Sequence, residues 1–277
     1  MAKIRDVLQE STSSSKPKVD VGEYEKRKAA AYNAEQGNLN LQDGYNCKKC
    51  NNRGMFMSVE EIGGMYRERF TPCECMKVRA SINRMKSSGL EGVIKRLTFD
   101  SFKTEAPYQK AMYDLAKRYT EQSTDEWLFF GGAVGSGKTH LCTAVCRDFL
   151  LKGQQVIYVL WAEMMQELKA KQFDDYDYDK LMVLYKSCDV LYIDDYFKPV
   201  GDGAGYTATD VKLTYDIINC RYVQRKRTII TSERLNEELL EIDEAVQSRI
   251  VQMCGEYKCN IARDKDRNYR IKGGKTI

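Results

Sequence analysis

The pattern of apolar and polar positions changes character twice along the 277-residue chain. Residues 1–19 are rich in Ser and Lys and carry no apolar period, as expected of a mobile segment. From Asp20 to Gly37, good helix formers ("EYEKRKAAAYNAEQ") predict a helix. Asp20 and Glu23 stand at capping-box spacing, and Gly37 supplies a stop. Between 45 and 76 the period fades and Gly and Cys become frequent. A helix-like stretch returns at 76–88 and stops at Gly89, and "LTFDSF" (97–102) leads onward.

From about residue 104, helical stripes alternate with short unbroken apolar runs. "PYQKAMYDLAKRYTEQ" places Met112, Leu115, Ala116 and Tyr119 on one helix face. "EWLFFGG" predicts a strand, "KTHLCTAVCRDFLLKG" a helix ending at Gly153, "QVIYVLW" a strand and "AEMMQELKA" a helix. "DVLYIDD" is apolar without a break, which suits a parallel strand covered on both faces. "TDVKLTYDIINCRYVQRK" predicts a long helix, and "TIITSE" another strand. This alternation implies an α/β fold with a mainly parallel sheet flanked by helices.

No apolar run approaches the roughly 20 residues that span a bilayer, and the N-terminus has no apolar signal core. The chain is therefore read as cytoplasmic, with no membrane partner. In that compartment ten cysteines stay reduced. Six of them (Cys142, Cys146, Cys188, Cys220, Cys254, Cys259) lie in apolar or strand-like contexts and read as small core residues. The other four, Cys47, Cys50, Cys73 and Cys75, form "CKKC" and "CEC" separated by 22 residues. Two chelating pairs suit a closed tetrahedral zinc site, with the intervening loop as a ribbon hairpin. A redox pair and an iron–sulfur cluster remain alternatives. Charge adds one further clue: residues 1–100 hold 18 Lys and Arg against 13 Asp and Glu, whereas the remainder is nearly balanced. The basic knot "MKVRASINRMKSSGL" (76–90) is either a solvated helix face or a contact for nucleic acid or an acidic partner.

The chemistry concentrates in "GAVGSGKT" (132–139), which fits the phosphate-binding loop and lies between a predicted strand and a predicted helix. Gly132, Gly135, Ser136 and Gly137 let backbone N–H groups turn toward phosphates, and Lys138 reaches the terminal ones. Thr139 offers a hydroxyl to magnesium, and His140 follows inside the helix. "YIDD" ends a strand with two carboxylates: Asp194 for hydrated magnesium, and Asp195 as the base or water-orienting group. Thr231, Ser232 and Glu233 at the next strand tip are candidate γ-phosphate or water sensors, or simply a helix cap. Arg249 in "EAVQSRI" is either a surface charge or a residue that reaches a neighbouring subunit's nucleotide. Tyr158 and Trp161 are candidate stacking residues for DNA, with core packing the alternative.

In their order, "TFDSF", "GSGKTHL", "YIDD", "INCRY…TIITSE", "QSRI" and "RDKDRNYR" resemble the AAA+ ATPases of the DnaC/DnaI/IstB group. The four-cysteine stretch followed by "RMKSSGL" resembles the N-terminal part of DnaC-like helicase loaders of Gram-positive bacteria and their phages. The resemblance implies an AAA+ P-loop NTPase preceded by a small zinc-binding domain. It implies ATP, Mg2+ and Zn2+ as cofactors. The partners it implies are a DnaB-type hexameric replicative helicase and single-stranded DNA, with ATP-dependent self-association. The function it implies is loading of that helicase, with an IstB-like transposition ATPase on duplex DNA as the alternative. Arg249 becomes the arginine finger and Arg221 a second trans contact. Asp195 stands where many such enzymes have Glu, so slow hydrolysis used as a switch is expected. Glu233 stands where relatives often have Asn. The expected parts are 1–44 (a flexible segment with a short helix), 45–96 (a zinc-binding, helicase-docking module) and 97–277 (the ATPase).

Overall fold

The structure, a computed structural model, describes residues 20–86, 94, 96–122, 125–198, 205–264 and 267–269, apart from the side chains of Arg84 and Met85. The expected N-terminal mobile segment and the helix stop at Gly89 lie outside the described residues. The chain divides into two compact units, Met1–Met76 and Lys77–Ile277.

The first unit opens with α1 (Val21–Ala34), capped by the Asp20 carboxylate, which accepts from Gly22 N at 2.9 Å and Glu23 N at 3.2 Å. The short α2 (Leu39–Asp43) follows, then an antiparallel ribbon of β1 (Met55–Ile62) and β2 (Met65–Pro72). Ile62 faces Met65 across a two-residue turn, Gly63–Gly64, with both φ values positive (62° and 78°). That conformation matches the right-handed twist of a hairpin, and glycine adopts it without strain. The ribbon therefore forms where the metal-loop reading expects it. α1 packs on both strands. Asn33 fixes the contact by donating to Met57 O and accepting from Met57 N, each at 2.9 Å. Arg53 stacks 3.8 Å from the Tyr32 ring centroid and pairs with Glu35 at 2.5 Å. The helix of the expected 1–44 segment is thus part of the four-cysteine unit. α3 (Cys75–Met85) begins at the last of the four cysteines.

The second unit is a five-stranded, wholly parallel sheet in the order β4-β5-β6-β3-β7. Its elements in chain order are α4 (Pro107–Glu121), β3 (Leu128–Gly132), α5 (Lys138–Leu151), β4 (Val156–Leu160), α6 (Trp161–Ala170), α7 (Asp175–Ser187), β5 (Val190–Asp194), α8 (Ala208–Val223), β6 (Arg227–Thr231), α9 (Asn236–Ile242), α10 (Glu244–Cys254) and β7 (Lys258–Ile261). β3 and β5 are buried along their full length, as their unbroken apolar runs require. Phe129, Ile157, Leu191, Ile193, Ile217 and Ile230 anchor a continuous apolar core. The helices carry their own start signals. Asp210 accepts from Thr207 N at 2.8 Å while its own N–H reaches Thr207 Oγ1 at 3.3 Å, and Asp243 caps α10 through Val246 N. Among the described residues no helix is long and apolar enough to cross a membrane.

Candidate nucleotide site and four-cysteine centre

Because the strands are parallel, their C-terminal ends share one edge, and the turns leaving β3, β5 and β6 meet there. The first turn is the phosphate loop. Gly132 has φ 100°, and a Cβ there would lie 2.0 Å from Ile261 O, so only glycine fits. Ser136 Oγ donates to Ala133 O at 2.8 Å and holds the loop closed. Lys138 lies at the start of α5, with Nζ donating to Gly132 O (2.8 Å) and Ala133 O (2.7 Å). Burial brings its ammonium down to about 8 despite the nearby carboxylates.

Asp194 lies at the centre of the edge. Its Oδ1 accepts from Thr139 Oγ1 at 3.2 Å and from Thr231 Oγ1, and its Oδ2 from Tyr158 OH at 3.2 Å. Burial is the main cause that holds this carboxyl above the usual carboxylate range. A buried acid beside a P-loop hydroxyl fits a hydrated magnesium ion, so Thr139 and Asp194 are the residues that would hold it. Asp195 takes the next position at φ 53°, a left-handed conformation that Asp tolerates better than most residues. Lys198 bridges Asp195 Oδ2 (2.8 Å) and Glu233 Oε1 (3.1 Å).

A cavity of about 530 Å³ adjoins this edge, and its walls include Gly135, Ser136, Gly137, Lys138, Thr139, His140, Asp195 and Glu233. Leu97, Phe102 and Tyr269 close other sides. His140 is the wall's link to the preceding strap: its Nε2 pairs with Thr98 O at 2.9 Å, and its ring meets Phe102 edge-on at 5.1 Å. Burial lowers its basicity, in keeping with a packing role. Tyr269 N donates to Gly135 O at 3.0 Å, so the "RNY" part of the late charged segment borders the phosphate loop. Lys198 and Tyr269 escaped sequence reasoning. A cation three residues past a double Asp was the available signal for the first.

Several expectations are corrected. Arg221 is fully buried, with Nε on Thr228 Oγ1 (2.9 Å), Nη1 on the carbonyls of Tyr185 (2.9 Å) and Cys188 (3.1 Å), and Nη2 on Arg227 O. A guanidinium spent on internal carbonyls cannot reach another subunit, so it is not a trans contact. Ser232 is also buried, bonded to Tyr196 O at 2.7 Å and to Arg234 N, so its hydroxyl shapes a turn and is not part of the cavity wall. Tyr158 turns to Asp194, and Trp161 donates to Thr214 Oγ1 at 3.1 Å; both are buried and neither is a DNA-stacking surface. Thr231 touches Asp194 and Glu233 lines the cavity. Arg249 lies on α10 against Tyr215 and Tyr222, 5.4 and 5.6 Å from their ring centroids, and does not line this chain's own cavity.

In the first unit the four thiols converge. All four Sγ atoms lie within 4.8 Å of one another and are buried, with Cys47–Cys73 at 3.9 Å and Cys50–Cys75 at 3.6 Å. Sulfurs at the corners of a zinc tetrahedron sit about 3.8 Å apart for a Zn–S bond of about 2.3 Å, so the spacing fits. The turn at the first pair is pinned at both cysteines: Asn52 Oδ1 accepts from Cys47 N (2.7 Å), and Gly54 N donates to Cys50 Sγ (3.3 Å). Cys73 N in turn donates to Gly54 O at 2.8 Å, which ties the second pair to the first. Burial works against ionisation of Cys50, but the Gly54 N–H and the neighbouring thiols outweigh it and bring it to about 7. Such a set can hold zinc with no position left open for catalysis.

A model of the bacterial DnaA ATPase domain matches residues 93–254. The chain belongs to this family. It is an AAA+ ATPase, and the match spans β3, β4, β5 and β6 together with the P-loop turn. The phage-like element PBSX protein XkdC of Bacillus subtilis (strain 168) is 31% identical over 240 residues, covering 83% of this chain and 87% of that protein. The replicative helicase loader DnaC of Escherichia coli (strain K12) is 29% identical over 96 residues, 34% of this chain and 38% of that one. Among solved structures, DnaI superposes with a TM-score of 0.50 at 20% identity, covering 61% of this chain and 92% of that one, a likeness of fold.

Proposed function

We propose that the protein is a cytoplasmic, ATP-dependent loader of a DnaB-type hexameric replicative helicase, binding the helicase and single-stranded DNA when replication begins. The observation that carries this reading is the union in one chain of a four-thiol centre with an ATPase unit of the DnaA family. The similarity to the loader DnaC supports it. In this account Cys47, Cys50, Cys73 and Cys75 hold a structural zinc ion, and their unit docks on the helicase. Gly132, Gly135, Ser136 and Gly137 present backbone N–H groups to ATP, and Lys138 leaves its two loop carbonyls to meet the terminal phosphates. Magnesium held by Thr139 and Asp194 would neutralise phosphate charge. Asp195 orients a water whose oxygen bonds to the γ-phosphorus as the bridging oxygen departs on ADP. Arg249 serves the nucleotide of a neighbouring copy, which explains its place away from its own cavity. The short Asp195 carboxylate reaches that water less well than Glu would, so the nucleotide acts chiefly as a switch.

The test is binding of the purified chain and its Lys138→Ala variant to a DnaB-type helicase, with ATP binding and zinc content measured in parallel. Lys138→Ala loses ATP but keeps zinc and the helicase. A wild-type chain that ignores the helicase, and instead forms ATP-dependent filaments on duplex DNA, would establish the transposition-type alternative.

A further inference from the structure

Lys198 places a single cation between two cavity carboxylates. Its Nζ lies 2.8 Å from Asp195 Oδ2 and 3.1 Å from Glu233 Oε1, and both acids line the nucleotide cavity. A surface ion pair of this length is usually worth little. Here the backbone that carries it is fixed. The turn from Asp195 to Lys198 closes on Lys198 N to Asp195 O at 3.1 Å, with positive φ at Asp195 and Phe197 (53° and 48°). Three bonds then tie the turn to the tip of β6: Tyr196 N to Thr231 O (2.8 Å), Ser232 Oγ to Tyr196 O (2.7 Å) and Arg234 Nε to Phe197 O (2.7 Å). Non-glycine residues hold such φ values only where surroundings impose them. The imposed shape brings Lys198 back over Asp195 and faces it with Glu233.

We propose that Lys198 is a positioning residue that restrains Asp195 from orienting water, and whose charge lets a triphosphate enter beside two carboxylates. The proposal rests on reading the cavity as the ATP site with Asp195 as its water-orienting group. Two physical effects follow from one ammonium. A carboxylate oxygen occupied by an ammonium at 2.8 Å is not free to hold and orient a water, which keeps hydrolysis slow. A pair of carboxylates left bare would repel the incoming phosphates, which lowers affinity. Removing the charge therefore moves the two kinetic constants in opposed senses for the enzyme: faster turnover with weaker binding. Loss of a merely structural residue would not do that.

The experiment compares wild type with Lys198→Met, Lys198→Arg and Glu233→Gln in the full chain, reading ATP affinity by equilibrium binding, and kcat and KM by phosphate release. Lys198→Met should weaken ATP binding by about three- to fivefold, the scale of a partly exposed charge pair, and raise kcat by a similar factor. Lys198→Arg, which can still bridge both acids, should restore both values. Glu233→Gln added to Lys198→Met should recover affinity but not the slow turnover. Unchanged constants in Lys198→Met, or a fall in kcat at unchanged affinity, would overturn the proposal. Asp195→Asn separates the two levels of the account. Full hydrolysis in that variant would show that Asp195 is not the water-orienting group. Slow hydrolysis there, with Lys198→Met unchanged, would sink the Lys198 proposal alone.

Discussion

The four-cysteine unit and the ATPase unit are held by different physics. The ATPase unit buries two strands end to end under helices, and its core runs continuously from Phe129 to Ile230. Among its described residues the first unit has no such core. β2 is exposed or half-exposed along its whole length, and the buried apolar cluster there consists of the four thiols, with Tyr45 and Phe56 against them. A region this poor in apolar burial folds when a metal supplies the missing free energy. On the proposed reading, one unit is a scaffold for chemistry and the other a shape that a bound ion would complete.

The largest way to break this comparison is to remove the thiolates. Cys50→Ser, or exhaustive chelation, should abolish the ribbon and the packing of α1, seen as loss of amide dispersion for residues 20–76 by NMR. ATP binding should stay intact. The reverse damage comes from Arg221→Met. Leaving its carbonyl partners buried without a donor costs about 1–3 kcal/mol for each orphaned group, so the ATPase unit should lose about 3 kcal/mol or more in denaturant melts. Zinc content should not change. A smaller effect sharpens the picture inside the first unit. Asn33→Ala breaks both bonds to Met57 and should cost about 1–2 kcal/mol, read as easier zinc loss to a competing chelator. Smallest is Arg249→Ala, which should shift the melting of the isolated chain by no more than about 1 kcal/mol. It should nonetheless slow ATP hydrolysis markedly once copies assemble.

Legibility in sequence also differed between the regions. In the ATPase unit the unbroken run "VLYIDD" and the P-loop each named both a strand and its chemistry, because burial on both faces forces apolar continuity. β7 left no such trace. It has four residues, "KCNI", of which only Ile261 is buried, and its identity as a strand comes from pairing with β3. The acidic opening of α7, "DYDYDK", hides a helix started by an Asp174 cap on Asp177 N. Single polar residues were the hardest to place. Arg221 read as a trans contact until the carbonyls of two segments, 185–188 and Arg227, converged on it, and Lys198 acquires its partners only through a turn of positive φ. In the first unit the cysteine spacing named the four thiols that converge and the ribbon that lies between the two pairs.

The claim that one unit is metal-held and the other core-held is tested most directly by native-state hydrogen exchange on the full chain, before and after zinc removal. The account predicts that protection over β1, β2 and α1 collapses to that of an unfolded segment, while β3, β5 and β6 keep their protection factors. Retained protection in the ribbon without zinc, or a matching loss across the parallel sheet, would contradict it.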